Sequence, residues 1–224
     1  DNTSTLKWPY VDTLVRHGWG IQNHGINGSA NTAGSFMHYS IARNKSYVRR
    51  RLYESFGEVL SRVFVNPNGS LPFTDSAFTQ NYISTLRTSN PNFPLGENGG
   101  NVNSSVDWAE NQELRRGWVK DNLQDLVNTM ADSSINGANY WGPVFSHDIG
   151  GGEYGFTTFK NDFNYIYNTY GASANGLDII LVATDEEIQD YLIVRDHTEV
   201  IYNLSGTTLL ITFTGNVPDN LLFY

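Results

Sequence analysis

Apolar residues Leu6, Trp8, Val11, Leu14 and Val15 recur at helical spacing and Gly18 follows as a stop, so the pattern predicts a helix over 6–15. Trp19-Gly20-Ile21-Gln22-Asn23-His24 is short and alternating and runs into a stretch rich in Gly, Asn and Ser, which predicts a strand delivering His24 to a loop. A second helix is expected over 45–61. Arg62-Val63-Phe64-Val65 predicts a strand closed by the turn Asn66-Pro67-Asn68-Gly69, where proline and glycine supply the special dihedrals. Helices are expected over 76–87, 110–130 and 157–170. Short apolar stretches separate them: Phe93-Pro94-Leu95, the run 140–147 ending in Val144-Phe145-Ser146-His147, and 177–183, which reads as a buried strand.

Strands alternating with helices imply an α/β fold with a mostly parallel sheet, open or closed into a barrel, because parallel strands need crossover helices. After Arg195 the texture changes. Glu199-Val200-Ile201-Tyr202-Asn203, Ser205-Gly206 and the run 209–213 read as a β-hairpin. The expected organisation is an α/β domain over 1–196 and a β-hairpin appendage, or the start of a β-sandwich, over 197–224, with further domains or chains of a larger surface protein possible partners.

Composition narrows the chemistry. The chain has 224 residues, enough for one large α/β domain. Only 17% of residues are charged while 13% are aromatic, a surface texture common outside the cytoplasm, so a secreted or cell-surface location is expected. The formal net charge of -9 opposes phosphate neutralisation and argues against nucleic acid. With no cysteine, any metal must be held by His, Asp or Glu. No apolar run reaches the roughly 18 to 20 residues that span a bilayer.

In parallel α/β folds ligands bind beyond the carboxyl ends of the strands. That rule selects His24, the Asn66 turn, the 97–103 loop, the 147–154 loop and Thr184-Asp185-Glu186. An imidazole at His24 suits a metal or a proton relay, or a plain hydrogen bond to loop backbone. His147 has the same placement, and the adjacent Asp148 offers a carboxylate to fix its tautomer. His17 reads as a helix C-cap, His38 reaches the site from a Gly/Ser-rich loop or lies on the surface, and His197 reads as structural. Asp185, Glu186 and Glu187 read as helix-capping acids. Trp19, Trp108, Trp141 and Tyr154 either stack on sugar rings or pack in the core. Neither a phosphate-binding glycine loop nor a Gly-x-Ser-x-Gly elbow is present.

Asn23-His24-Gly25, the Asn66-Pro67-Asn68-Gly69 turn and Val144-Phe145-Ser146-His147 resemble, in order and spacing, the polysaccharide deacetylase (NodB homology) family over about 6–196. The resemblance implies a distorted (β/α) barrel that removes N- or O-acetyl groups from a glycan with a divalent metal, zinc being the expected ion. It implies His24 as a metal ligand, with His38 as a substitute second histidine, and His147 with Asp148 as the acid group. Pro67, Asn68, Trp141 and Tyr154 would line the substrate. The chain departs from the family pattern where Gly28 stands for the second metal histidine and Val65-Asn66-Pro67-Asn68 for the Arg-x-Pro-Tyr motif. The family's Asp-Asp pair belongs to a strand that would precede Leu6. Two other functions stay open: a noncatalytic glycan-binding or structural surface protein on the same barrel, and a glycoside hydrolase using Asp148 and Glu153 as paired carboxylates.

Overall fold

The computed structural model describes residues 7–25, 35–56, 62–67, 77–78, 82, 84–88, 112–118, 123–135, 140–147, 149–172, 176–218 and 221, with only the backbone at 35–38, 53–56, 84–88, 112–113, 115, 118 and 133–135. Four strands, β1 (Val63–Val65), β2 (Ser84–Thr88), β3 (Gln112–Trp118) and β4 (Val144–Phe145), form one sheet in the order β1-β2-β3-β4. All three pairings are parallel, with Val63 opposite Ser84, Ser84 opposite Gln112 and Gly117 opposite Val144. Asn23 adds an isolated parallel bridge to Phe64 on the free side of β1. Spatial order therefore follows chain order from Asn23 to β4.

The two-residue period of β1 explains the layers. Val63 and Val65 point one way, into a cluster with Leu114, Trp141, Leu192 and Ile193. Phe64 points the other way, against Ile41, Ala77 and Tyr82. The first cluster brings in α5 (Asp185–His197) and the second α2 (Ser35–Phe56), so β1 is covered on both faces, as parallel strands require. Val63 and Phe64 are fully buried, and each such side chain contributes about 1.5–3 kcal/mol of hydrophobic stabilisation. A third cluster joins α3 (Leu123–Ile135) to α4 (Phe156–Thr169) through Leu123, Val127, Tyr154 and Ile166. At the sheet edge the Arg62 guanidinium meets the Asp190 carboxylate of α5 at 3.5 Å, both side chains buried.

The structure corrects several sequence expectations. The helix expected over 76–87 ends in β2, and the front of the helix expected over 110–130 is β3. Both segments pair with a neighbour on each side, and that two-sided backbone bonding outweighs local helical spacing. The segment 177–183, expected as a buried strand, forms no strand: it bends at Asp178, which has φ 52, and Leu177, Leu181 and Val182 are exposed. Its amides bond instead to the end of α4: Asp178 N–H to Gly171 O, and both Ile179 and Ile180 N–H to Tyr170 O. The α2 helix begins at Ser35, ahead of its expected start at 45. The helix α1 (Trp8–Arg16) and α4 lie close to their expected spans. Phe93-Pro94-Leu95 lies outside the described residues.

The hairpin read after Arg195 is an antiparallel ribbon of β5 (Thr198–Ser205) and β6 (Thr208–Gly215). Gly206 carries φ 62 while Thr207 does not have positive φ, the arrangement that fits a two-residue hairpin loop. Register puts Val200 and Phe213, Tyr202 and Ile211, and Leu204 and Leu209 opposite each other on one face. Beyond the ribbon, Leu221 packs back against the Val63 cluster. Among the described residues no helix is long and apolar enough to cross a membrane.

Candidate functional site

Asn23 anchors the first part of the site. Its Nδ2 donates to Ile41 O at 3.0 Å and to Tyr82 Oη at 2.7 Å, and its Oδ1 accepts from Gly25 N–H at 2.9 Å and Asn44 Nδ2 at 2.7 Å. This buried amide is thus bonded at both ends, and it fixes the turn that follows the bridge to β1. Gly25 has φ 74, and a Cβ there would meet Ser40 Oγ at 3.0 Å, so the turn requires glycine on both counts.

The turn swings His24 over the end of β1, where its Nδ1 lies 2.7 Å from Val65 O. A carbonyl only accepts, so Nδ1 carries the proton and Nε2 keeps its lone pair. Burial lowers the His24 pKa, the Val65 carbonyl opposes this, and the nearby charges of Arg116 and His147 lower it further. A neutral imidazole with Nε2 bare is suited to hold an ion, or to accept a proton.

Arg116 comes from β3 and was not legible in sequence as a site residue. Its guanidinium lies 4.1 Å from the centre of the Phe145 ring, and burial lowers its pKa to about 10 against the opposing pull of Asp185. Asp185 opens α5. Gln22 Nε2 donates to Asp185 Oδ2 at 2.7 Å and approaches Glu186 Oε2 at 3.4 Å, which ties the helix start to the segment before His24. Burial raises the Asp185 pKa, while Gln22 and Arg116 lower it. The close approach depends on Gly20, where a Cβ would meet Glu186 Oε2 at 2.8 Å. The capping role expected here is filled by Thr184, whose Oγ1 accepts from Glu187 N–H at 3.2 Å, with three acids in the first turn complementing the dipole.

His147 follows β4 and is exposed. Its Nδ1 lies 3.2 Å from Glu153 Oε1, its backbone N–H donates to Glu153 Oε2 at 3.2 Å, and its ring meets Phe145 edge-on at 5.6 Å. The carboxylate on Nδ1 is therefore Glu153. The loop doubles back through the bridge of Ile149 to Tyr154 and the bond from Gly150 N–H to Tyr154 O, with Gly150 at φ 100. The Gly150-Gly151-Gly152 run followed by an acid was the available signal. Asp148, expected as that partner, lies outside the described residues, as does Asn68.

The remaining expected site residues sit elsewhere. Trp141 is 4% exposed in the Val63 cluster, and Tyr154 is 3% exposed with its hydroxyl donating to Asp162 at 2.5 Å, so neither ring faces solvent. Pro67 is buried beside the His24 turn. His38 stands in the first turns of α2, its side chain outside the description. His17 caps α1, and His197 bonds Ile193 O through Nδ1 at 2.9 Å, the structural role expected of it. Among the described residues no group of three His, Asp or Glu is placed to hold a metal ion. The site that emerges is His24, Arg116, Asp185 and the His147–Glu153 pair. In comparisons with known proteins, the sequence matches no family model and no curated protein.

Proposed function

We propose that this chain is a secreted or surface-associated carbohydrate deacetylase-like domain, which hydrolyses an acetyl amide or ester on a glycan from a barrel of the polysaccharide deacetylase type. The observation that carries the reading is the placement of His24 and His147 beyond the same ends of parallel strands, His24 after the Asn23 bridge to β1 and His147 after β4. The sequential parallel order from Asn23 to β4 supports a barrel.

Hydrolysis of an acetyl group needs a proton for the departing amine or alkoxide. With Nδ1 held on Glu153, His147 presents Nε2 as the group that gives it. Arg116 supplies fixed positive charge at the same face, where the acyl oxygen gains negative charge as water adds to the carbonyl. A divalent metal, if bound, would polarise the acetyl carbonyl and acidify water. His24 Nε2 is placed to be one ligand, but the described residues do not complete a set, so no step is assigned to the ion.

Arg116 favours a second reading. A buried guanidinium beside His24 repels cations and attracts anions, which fits noncatalytic binding of a glycan by the same face. Acetate release separates the two. Acetylated chito-oligosaccharide and an O-acetylated glycan are incubated with the protein, with and without zinc or cobalt. The deacetylase reading predicts acetate release that falls by about 100-fold or more in His147→Ala. Glycan binding without acetate under every metal condition, or equal release from the variant, contradicts it.

A further inference from the structure

Between Asp12 and Glu54 the chain has no acidic residue, while Arg16, Arg43, Lys45, Arg49, Arg50 and Arg51 fall there, so this stretch carries +6 in a chain of net charge -9. Most of that charge is on α2. Residues 39, 43, 47 and 50 recur at i, i+4, i+8 and i+11, which places Tyr39, Arg43, Tyr47 and Arg50 in one line along the helix. All four are exposed, Tyr39 at 51% and Tyr47 at 38%.

The stripe is also preorganised. Arg43 lies 5.6 Å from the Tyr39 ring centre and donates from Nη1 to Tyr39 Oη at 2.7 Å. Arg50 and Arg51 lie 5.6 and 5.3 Å from the Tyr47 ring centre, and Trp8 of α1 braces that ring edge-on at 5.5 Å. A guanidinium held against a ring loses less freedom when it binds, and its remaining N–H groups match two coplanar carboxylate oxygens. We propose that this outer stripe of α2 is a docking surface for a carboxylate-bearing polysaccharide, a chain of uronic acid units whose sugar faces pack on the tyrosines and whose carboxylates meet the arginines.

Two other polyanionic surfaces fit less well. Ile41 and Leu52 are 0% and 2% exposed, so among the described side chains of α2 these aliphatic residues are turned inward and not offered to a membrane. A duplex nucleic acid carries one phosphate charge per about 1.7 Å of its axis, whereas a polyuronate carries at most one carboxylate per sugar, so the 23 acidic residues outside the 13–53 stretch oppose the nucleic acid more strongly. The opposite side of α2 meets the His24 turn through Ile41 and Asn44, so the stripe lies across the helix from the proposed site. The inference extends the glycan reading but stands on its own observations.

Calorimetric titration with polygalacturonate at low salt tests it, alongside neutral dextran, a single-stranded oligonucleotide and phosphatidylserine vesicles. Polygalacturonate should bind, weaken steeply as salt rises, and lose about tenfold in affinity in the Arg43→Gln/Arg50→Gln double variant. Arg16→Gln, which lies off the stripe in an ion pair with Asp12, should leave binding unchanged. Absence of binding, an unaffected double variant, or tighter binding to the oligonucleotide or vesicles overturns the proposal. If the wild-type protein binds polygalacturonate but releases no acetate under any metal condition, the deacetylase reading fails and the stripe stands.

Discussion

At the scale of single residues, the account turns on His24. Burial is the largest influence on it and favours the neutral ring, so it should titrate below the ordinary 6.5. A base whose pKa is lowered by folding binds protons more readily when unfolded. Its contribution to stability is therefore intact above about pH 6.5 and is lost as pH falls through that value toward the lowered one. Removing one nearby cation with Arg116→Gln should raise the His24 titration midpoint measured by NMR, and should raise that of Asp185 too, because Arg116 stabilises its charged form. No movement of either midpoint would mean that Arg116 does not share their site. Sequence reading found His24 and His147 because a histidine beyond a strand is a recognisable signal. It missed Arg116 because Gln112-Glu113-Leu114-Arg115-Arg116 has the polarity of a helix surface. Asp148 was legible as a partner for His147 because adjacency in sequence is visible, whereas Glu153 was not, since the fold-back that delivers it needs the positive φ of Gly150.

At the scale of elements, legibility followed burial. The strand 63–65 was readable since it is apolar on both faces, and α4 since it is amphipathic and stands between clear stops. β2 and β3 were not, because paired backbone rather than side-chain pattern holds them in place. Two interactions of α5 each carry a prediction. Replacing Arg62 by Met leaves the buried Asp190 carboxylate without its cation and should destabilise the fold by about 3 kcal/mol in urea denaturation. Replacing both partners with apolar residues should recover most of that loss, and a loss under about 0.5 kcal/mol in the single variant would show that the pair is not a buried one. Thr184→Ala removes the N-cap and should cost about 1 kcal/mol in the same assay.

At the scale of the whole molecule, His24 and His147 both follow strands of one parallel sheet and so leave it at the same end. The placement of His24 and His147 beyond the strand ends was foreseeable from the alternation of strands and helices, but the docking of the α5 start on the segment before Asn23 was not. It arises from contacts between residues far apart in the chain, such as Gln22 with Asp185 and Glu186. Gly20 is the position where this closure is tightest, and Gly20→Val should weaken it, pushing the α5 start away from Gln22. The variant should both lower thermal stability and move the Asp185 titration, whereas a purely local effect would leave Asp185 unchanged. The central claim is that His24 and His147 form one face for one acetylated glycan. Its most direct test follows the two imidazoles by NMR while acetylated chito-oligosaccharide is added. The account predicts that both sets of signals shift with a single dissociation constant; movement of one ring alone, or of neither, would contradict it.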